Sequence, residues 1–233
     1  MTRHLYLFLL LFLLCAVGVW SWMARPWEGW GLETDDGGKA HQGIVIDRYD
    51  RLLDEYVSLG SYTALHRMNT DYTAQTTMLI EDVLQLGSAM EPDAEKRMRV
   101  LFLDSTMQEL LDSVHAQYTD IRDLENDFDR AFKEQERKDP NFRRPHVYTQ
   151  IGRLGRNVVV NDTLIGISLD MYLGADSPFY NGRFTYEQRS RMNRSHIVSD
   201  AIEAYTQQRK RQSSNLPPSY DPLLSPSPLS NPR

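Results

Sequence analysis

Apolar residues occupy nearly every position from 5 to 23, and beyond them the chain changes to spaced apolar patterns of two different periods. A helix of 19 residues at ~1.5 Å per residue matches the hydrocarbon core of a bilayer. Residues 1–25 therefore read as one transmembrane or signal-anchor helix. Trp20, Trp22, Trp27 and Trp30 cluster at its far end, where indoles favour the headgroup layer. A signal peptidase needs small residues before its cut, and the bulky stretch from Trp20 to Met23 offers none in a suitable place, so the segment is expected to stay attached. Residues 26–43 are glycine-rich, charged and without period, as befits a linker.

From Ile44 the pattern becomes helical. Tyr49, Leu52, Leu53, Tyr56 and Val57 share one face, and a second run through Leu65, Tyr72, Leu79, Ile80, Val83 and Leu86 ends at Gly87, placed to cap it. Ser105 and Gln108 have capping-box spacing ahead of Met107, Leu110, Leu111 and Val114. Asp120 precedes a further helix whose apolar stripe is Ile121, Leu124, Phe128, Ala131 and Phe132 and which stops before Pro140.

After Pro145 the period drops to two. Val147, Thr149 and Ile151 alternate with His146, Tyr148 and Gln150, and residues 158–160 are joined to a strand from Thr163 by the turn pair Asn161 and Asp162. In that last strand Ile165, Ile167, Leu169, Met171 and Leu173 line one face, with Gly166, Ser168, Asp170 and Tyr172 on the other, until Gly174 ends it. This register puts Asp170 away from the core, where exchange for Asn would leave folding nearly intact. Thr185 and Gln188 form another capping box before a final helix with Ile197, Ile202 and Tyr205. Residues 212–233 are rich in Pro and Ser and read as a disordered tail. The expected fold class is α+β: N-terminal amphipathic helices packed on a small antiparallel sheet, forming one domain over residues 44–211.

Composition narrows the functional classes. The 233 residues are 41% apolar and 25% charged, ordinary for a globular domain. The net charge of −6, with no dense basic stripe, argues against nucleic acid as a partner. The single cysteine, Cys15, lies in the apolar segment, which leaves the domain without disulfides or cysteine-based zinc sites. It also makes Cys15 the one lipidation candidate, although Phe12, Leu13 and Leu14 precede it rather than a small residue.

Asp123, Glu125, Asp127, Asp129 and Glu134 have the spacing of a calcium loop, but the glycine that such a loop needs at its sharp turn is Phe128, part of the apolar stripe. No two histidines stand four apart beside a glutamate; the nearest approach to metal-ligand spacing is His196 with Asp200. No nucleophile elbow, phosphate loop or dinucleotide fingerprint occurs. No cofactor is expected. The most structured polar group is Asp170, Tyr172 and Asp176 at the end of the last strand, the candidate binding residues.

The stretch Leu164-Ile165-Gly166-Ile167-Ser168-Leu169-Asp170-Met171-Tyr172-Leu173-Gly174-Ala175-Asp176 resembles the signature of the GldB gliding-motility lipoprotein family of Bacteroidetes. Tyr49-Asp50, Arg130-Ala131-Phe132-Lys133 and Pro145-His146-Val147-Tyr148 fit the same pattern, so the likeness extends over residues 44–205. It implies a cell-envelope protein required for gliding in some members, with no catalytic residues to carry over. The family is also similar to predicted zinc proteases, whose HExxH pattern is absent here. Two departures stand out: the poor setting of Cys15 and the Pro/Ser-rich sequence after Arg211, where family members continue.

The expected function is a membrane-anchored, non-enzymatic envelope component. It would be held in the inner membrane with a periplasmic domain, or alternatively be lipid-anchored, and its partners would be other envelope proteins. The rival readings are a degenerate metallopeptidase and a module binding peptides along the edge of the strand over residues 164–173.

Overall fold

The computed structural model of the chain describes residues 43–214. The anchor helix, Cys15, the linker as far as residue 42 and the tail beyond residue 214 lie outside the described residues.

Helices come first: α1 (Tyr49–Leu59), α2 (Tyr62–Thr70), α3 (Thr73–Met78), α4 (Ala94–Phe102), α5 (Ser105–Gln117) and α6 (Arg122–Lys138). The apolar positions that set the helical period in sequence are the ones buried: Leu52, Leu53, Tyr56 and Val57 on α1, and Leu124, Phe128 and Phe132 on α6. Phe128 and Phe132 pack with ring centroids 5.7 Å apart on one unbroken helix, so Asp123, Glu125, Asp127, Asp129 and Glu134 belong to that helix and not to a calcium loop.

The run from Leu65 to Leu86, expected as one helix, is broken. Thr70 Oγ1 donates to His66 O and to Asp71 Oδ1, competing with the helical ladder, and the chain restarts at Thr73. It then widens into a π-turn over Leu79–Val83 before Gln85 and Gly87 adopt positive φ. The cap of α5 is one residue earlier than expected. Asp104 accepts the Thr106 N–H at 2.9 Å, while the Gln108 amide donates to Phe102 O instead of closing a box with Ser105. The Thr185/Gln188 box of α7 (Tyr186–Arg191) is present in full.

The sheet has strands β1 (His146–Gln150), β2 (Val158–Val160) and β3 (Leu164–Ser168) in the spatial order β1-β3-β2. It is mixed, which corrects the antiparallel expectation: β2 and β3 form the anticipated hairpin, but β1 runs parallel to β3. Asn161 holds the hairpin turn by accepting the N–H groups of Thr163 and Leu164.

This order places the last strand in the middle. To pass from the end of β1 to the start of β2, residues 151–157 must cross over the end of β3. The crossing is tight, because a Cβ on Gly152 would lie 2.6 Å from Ser168 Oγ. The strand expected to run on to Leu173 therefore stops at Ser168 and coils into a 3-10 turn, Leu169–Tyr172. β3 is paired on both sides, which removes the strand-edge peptide reading. Every residue of β3 is buried, so no polar face remains for it to show.

Short turns at Pro178–Tyr180 and Arg194–His196 flank α7, and α8 (Ile197–Ser214) packs on β2, β3 and α6. That helix runs past residue 212, where the sequence reading began the tail. Among the described residues no helix is long and apolar enough to cross a membrane.

Candidate functional site

The crossing loop needs something to hold it, because two of its residues, Arg153 and Leu154, have left-handed backbone with φ of 58° and 57°. Non-glycine residues adopt that conformation at a cost of about 1 kcal/mol or more each unless their surroundings enforce it. Asp170 enforces it. Its carboxylate, wholly buried at 0% exposure, accepts the Gly152 N–H at 2.7 Å and the Leu154 N–H at 2.6 Å, one on each side of Arg153. Burial pushes the Asp170 carboxyl up to about 6, and the two backbone bonds hold it from rising further. Asp170 thus faces the interior, opposite to the sequence register, because the strand has already ended when the chain reaches it.

A set of buried tyrosines fixes the backbone around this carboxylate. Tyr180 donates to Asp170 O and accepts the Leu173 N–H, both at 2.8 Å, and Tyr118 donates to Tyr172 O at 2.6 Å. The Tyr172 hydroxyl donates to Asp200 Oδ2 at 3.0 Å and accepts from the Asn157 amide at 3.3 Å. Burial, and then the Asp200 charge, push this phenol well above its ordinary range, so it serves as a neutral donor. A small pocket of about 60 Å³ opens beside Tyr172 and Asp200.

The structure thus joins Tyr172 to Asp200, which the sequence reading had placed in two separate candidate sites. Asp200 is committed to Tyr172 and Arg191, the latter at 3.4 Å, and no hydrogen bond links it to His196. Among the described residues no group of three His, Cys, Asp or Glu side chains is arranged to hold a metal ion. Asp176 is exposed on the loop ahead of Pro178 and takes no part in the cluster.

A second buried carboxylate stands nearby. Asp50, at 0% exposure, accepts from Arg48 Nε at 2.9 Å and Nη2 at 2.8 Å and from the Thr149 hydroxyl. His115 Nε2 stops 3.9 Å short of it, outside hydrogen-bond range. Arg48 Nη1 also donates to Tyr118 O at 2.7 Å, so Arg48 and Tyr118 link Asp50 to the signature segment. Arg194, paired with Asp123, lies 4.8 Å over the Tyr118 ring and pins it. Asp50 entered the sequence reading only through the resemblance. Its local signal is weak, because a carboxylate on the apolar face of α1 looks like any helix acid until its partner Thr149, 99 residues away, is known.

In front of the loop that Asp170 holds lies a groove of about 680 Å³. Met107, Leu110, Leu154 and Phe179 give it an apolar lining, while Arg153, Arg183, Asp104 and Glu109 add charge. Its lining includes Thr106 beside these carboxylates, and no histidine or cysteine.

The model of the family described as gliding motility protein GldB matches residues 33–217. No curated protein and no solved structure matches the chain.

Proposed function

The chain belongs to the gliding motility protein GldB family, and from that premise we propose that it acts as a non-enzymatic, membrane-anchored component of the cell envelope in surface movement. The observation that carries the reading is the extent of the match, which takes in the whole folded domain and both buried carboxylate clusters. The apolar segment at residues 5–23 supplies the anchor in this reading, and the folded domain makes contact with other envelope proteins. The polar interior supports a binding role over a catalytic one. Asp50, Asp170 and Asp200 are each spent on positioning backbone or side chains, and none stands beside an activated nucleophile.

The test is deletion of the gene in the source organism, with time-lapse tracking of cells on agar and fractionation of the tagged chain. Loss of movement, restored by the intact chain in the membrane fraction, is the expected result. Unchanged movement and an unchanged envelope protein profile after deletion would refute the reading.

A further inference from the structure

The groove beside the crossing loop combines features that structural needs do not account for. Its two arginines, Arg153 and Arg183, are exposed, and among the described residues neither guanidinium has a hydrogen-bond or ion-pair partner. Arg48, Arg97, Arg122, Arg144 and Arg194, by contrast, are paired with carboxylates. Arg153 is presented at the groove by left-handed backbone that the fold maintains with a fully buried carboxylate, and strain held in this way concentrates at sites of recognition. Between the charges lies apolar surface, including Val100, 62% exposed at the groove on α4.

We propose that this groove docks an extended segment of a partner polypeptide, which presents an acidic side chain to Arg153 and Arg183 and lays apolar side chains against Leu154 and Phe179. Charge complementarity decides the class of occupant. Arg153 comes from the crossing loop and Arg183 from the stretch ahead of α7, while Asp104, the cap of α5, and Glu109 on that helix line the same groove. Asp104 is engaged in capping α5, but the Glu109 carboxylate has no partner among the described residues. An anionic lipid surface presents one sign of charge and would meet these acids, on a chain of net charge −6, with repulsion. A polypeptide can place a carboxylate at the arginines and a neutral or basic side chain at Glu109. Guanidinium pairs are also well suited to the planar carboxylate of Asp or Glu. The inference rests on the binding role proposed above and gives it a site.

The test is selection of a phage-displayed library of random 12-residue peptides on the detergent-solubilised full chain. Selected peptides are then synthesised and measured by fluorescence anisotropy. Enriched sequences should carry Asp or Glu beside apolar residues. The double variant Arg153→Gln/Arg183→Gln should weaken binding by about tenfold with an unchanged melting temperature, the size expected for two exposed charge contacts. Replacing the peptide's acidic residue by its amide should erase the difference between wild type and variant, which separates a direct contact from a general loss of fold.

The proposal is overturned by enrichment without acidic residues, by no enrichment over bare beads, or by equal affinity for the double variant. Displacement of a selected peptide by phosphatidylglycerol vesicles, but not phosphatidylcholine vesicles, would reassign the groove to lipid and likewise overturn it. Because these measurements use purified chain, they can fail while the deletion phenotype stands, and the reverse.

Discussion

Gly166 offers the sharpest test of the sheet. It sits at the middle of β3, between Tyr148 on β1 and Val159 on β2. A Cβ added there would fall 2.5 Å from Tyr148 Cζ and 2.8 Å from Val159 Cγ2, well inside van der Waals contact. Neither neighbour has room to retreat. Tyr148 is at 0% exposure, edge-on to Tyr49 at 6.0 Å, with its hydroxyl against Met78 Sδ.

Gly166→Ala should gain a little from a stiffer unfolded chain, under ~1 kcal/mol, and lose more to overpacking, typically ~1–3 kcal/mol and at times more. The net expectation is a loss of about 2 kcal/mol, or roughly 4–8 °C in Tm for a domain of this size. Urea unfolding followed by far-ultraviolet circular dichroism measures it. Tyr148→Leu in the same chain removes the clashing ring, so the double variant should lose less than the sum of the two single variants. A loss within ~0.5 kcal/mol of zero, or strict additivity of the pair, would refute the packing of Tyr148 across Gly166.

Four further outcomes are expected. For Asp170 the folded carboxyl, at about 6 against an ordinary 3.8, binds its proton more tightly than the unfolded one, so its contribution is full below about pH 4 and lost as pH rises through 6. The stability of the wild type relative to Asp170→Asn, from urea titrations at stepped pH, should therefore fall by about 3 kcal/mol over that interval, and a flat or rising difference would contradict it. Asp50→Ala removes the acceptor of Arg48 Nε and Nη2 and the carboxylate partner of the Thr149 hydroxyl, and should cost about 3 kcal/mol in chemical denaturation; a cost below ~1 kcal/mol would mean that solvent substitutes for the carboxylate. Leu169→Asp, at a position with 0% exposure, should cost several kcal/mol, and a folded variant with wild-type melting would displace Leu169 from the core. Intact mass of the membrane-extracted chain should show the N-terminal segment retained, whereas a mature end beyond Met23 or a lipid on Cys15 would remove the proposed anchor.

Features set by neighbours within a few residues were legible in the sequence. The stripe of Leu124, Phe128 and Phe132, the Thr185/Gln188 box, the Asn161 turn and the positive φ of Gly174 all depend on such local geometry. Features that depend on distant partners were not. The parallel pairing of β1 with β3 has no local signature, because strands buried on both faces lose the alternation that would reveal their register. The end of β3 is imposed by residues 151–157 crossing it, and a strand register carried past that point puts Asp170 on the wrong side. The Tyr172–Asp200 bond spans 28 residues, and the groove gathers three separate stretches of chain. Sequence pattern named several of the residues but could not say which of them meet.

The central position of the final strand also bears on how the molecule comes into being. β1 and β2 make no ladder with each other, so until Ser168 has been supplied there is no sheet at all, only two strands waiting for the one that joins them. A chain emerging from a ribosome or translocon in N-to-C order delivers all of α1 to α6 before that moment. Tyr49 on α1 must then find Tyr148, about a hundred residues later, and such distant closures slow the search for the native state. In the interval the apolar stripes of the helices have no sheet to cover them, which makes the nascent chain a natural client for a holding chaperone.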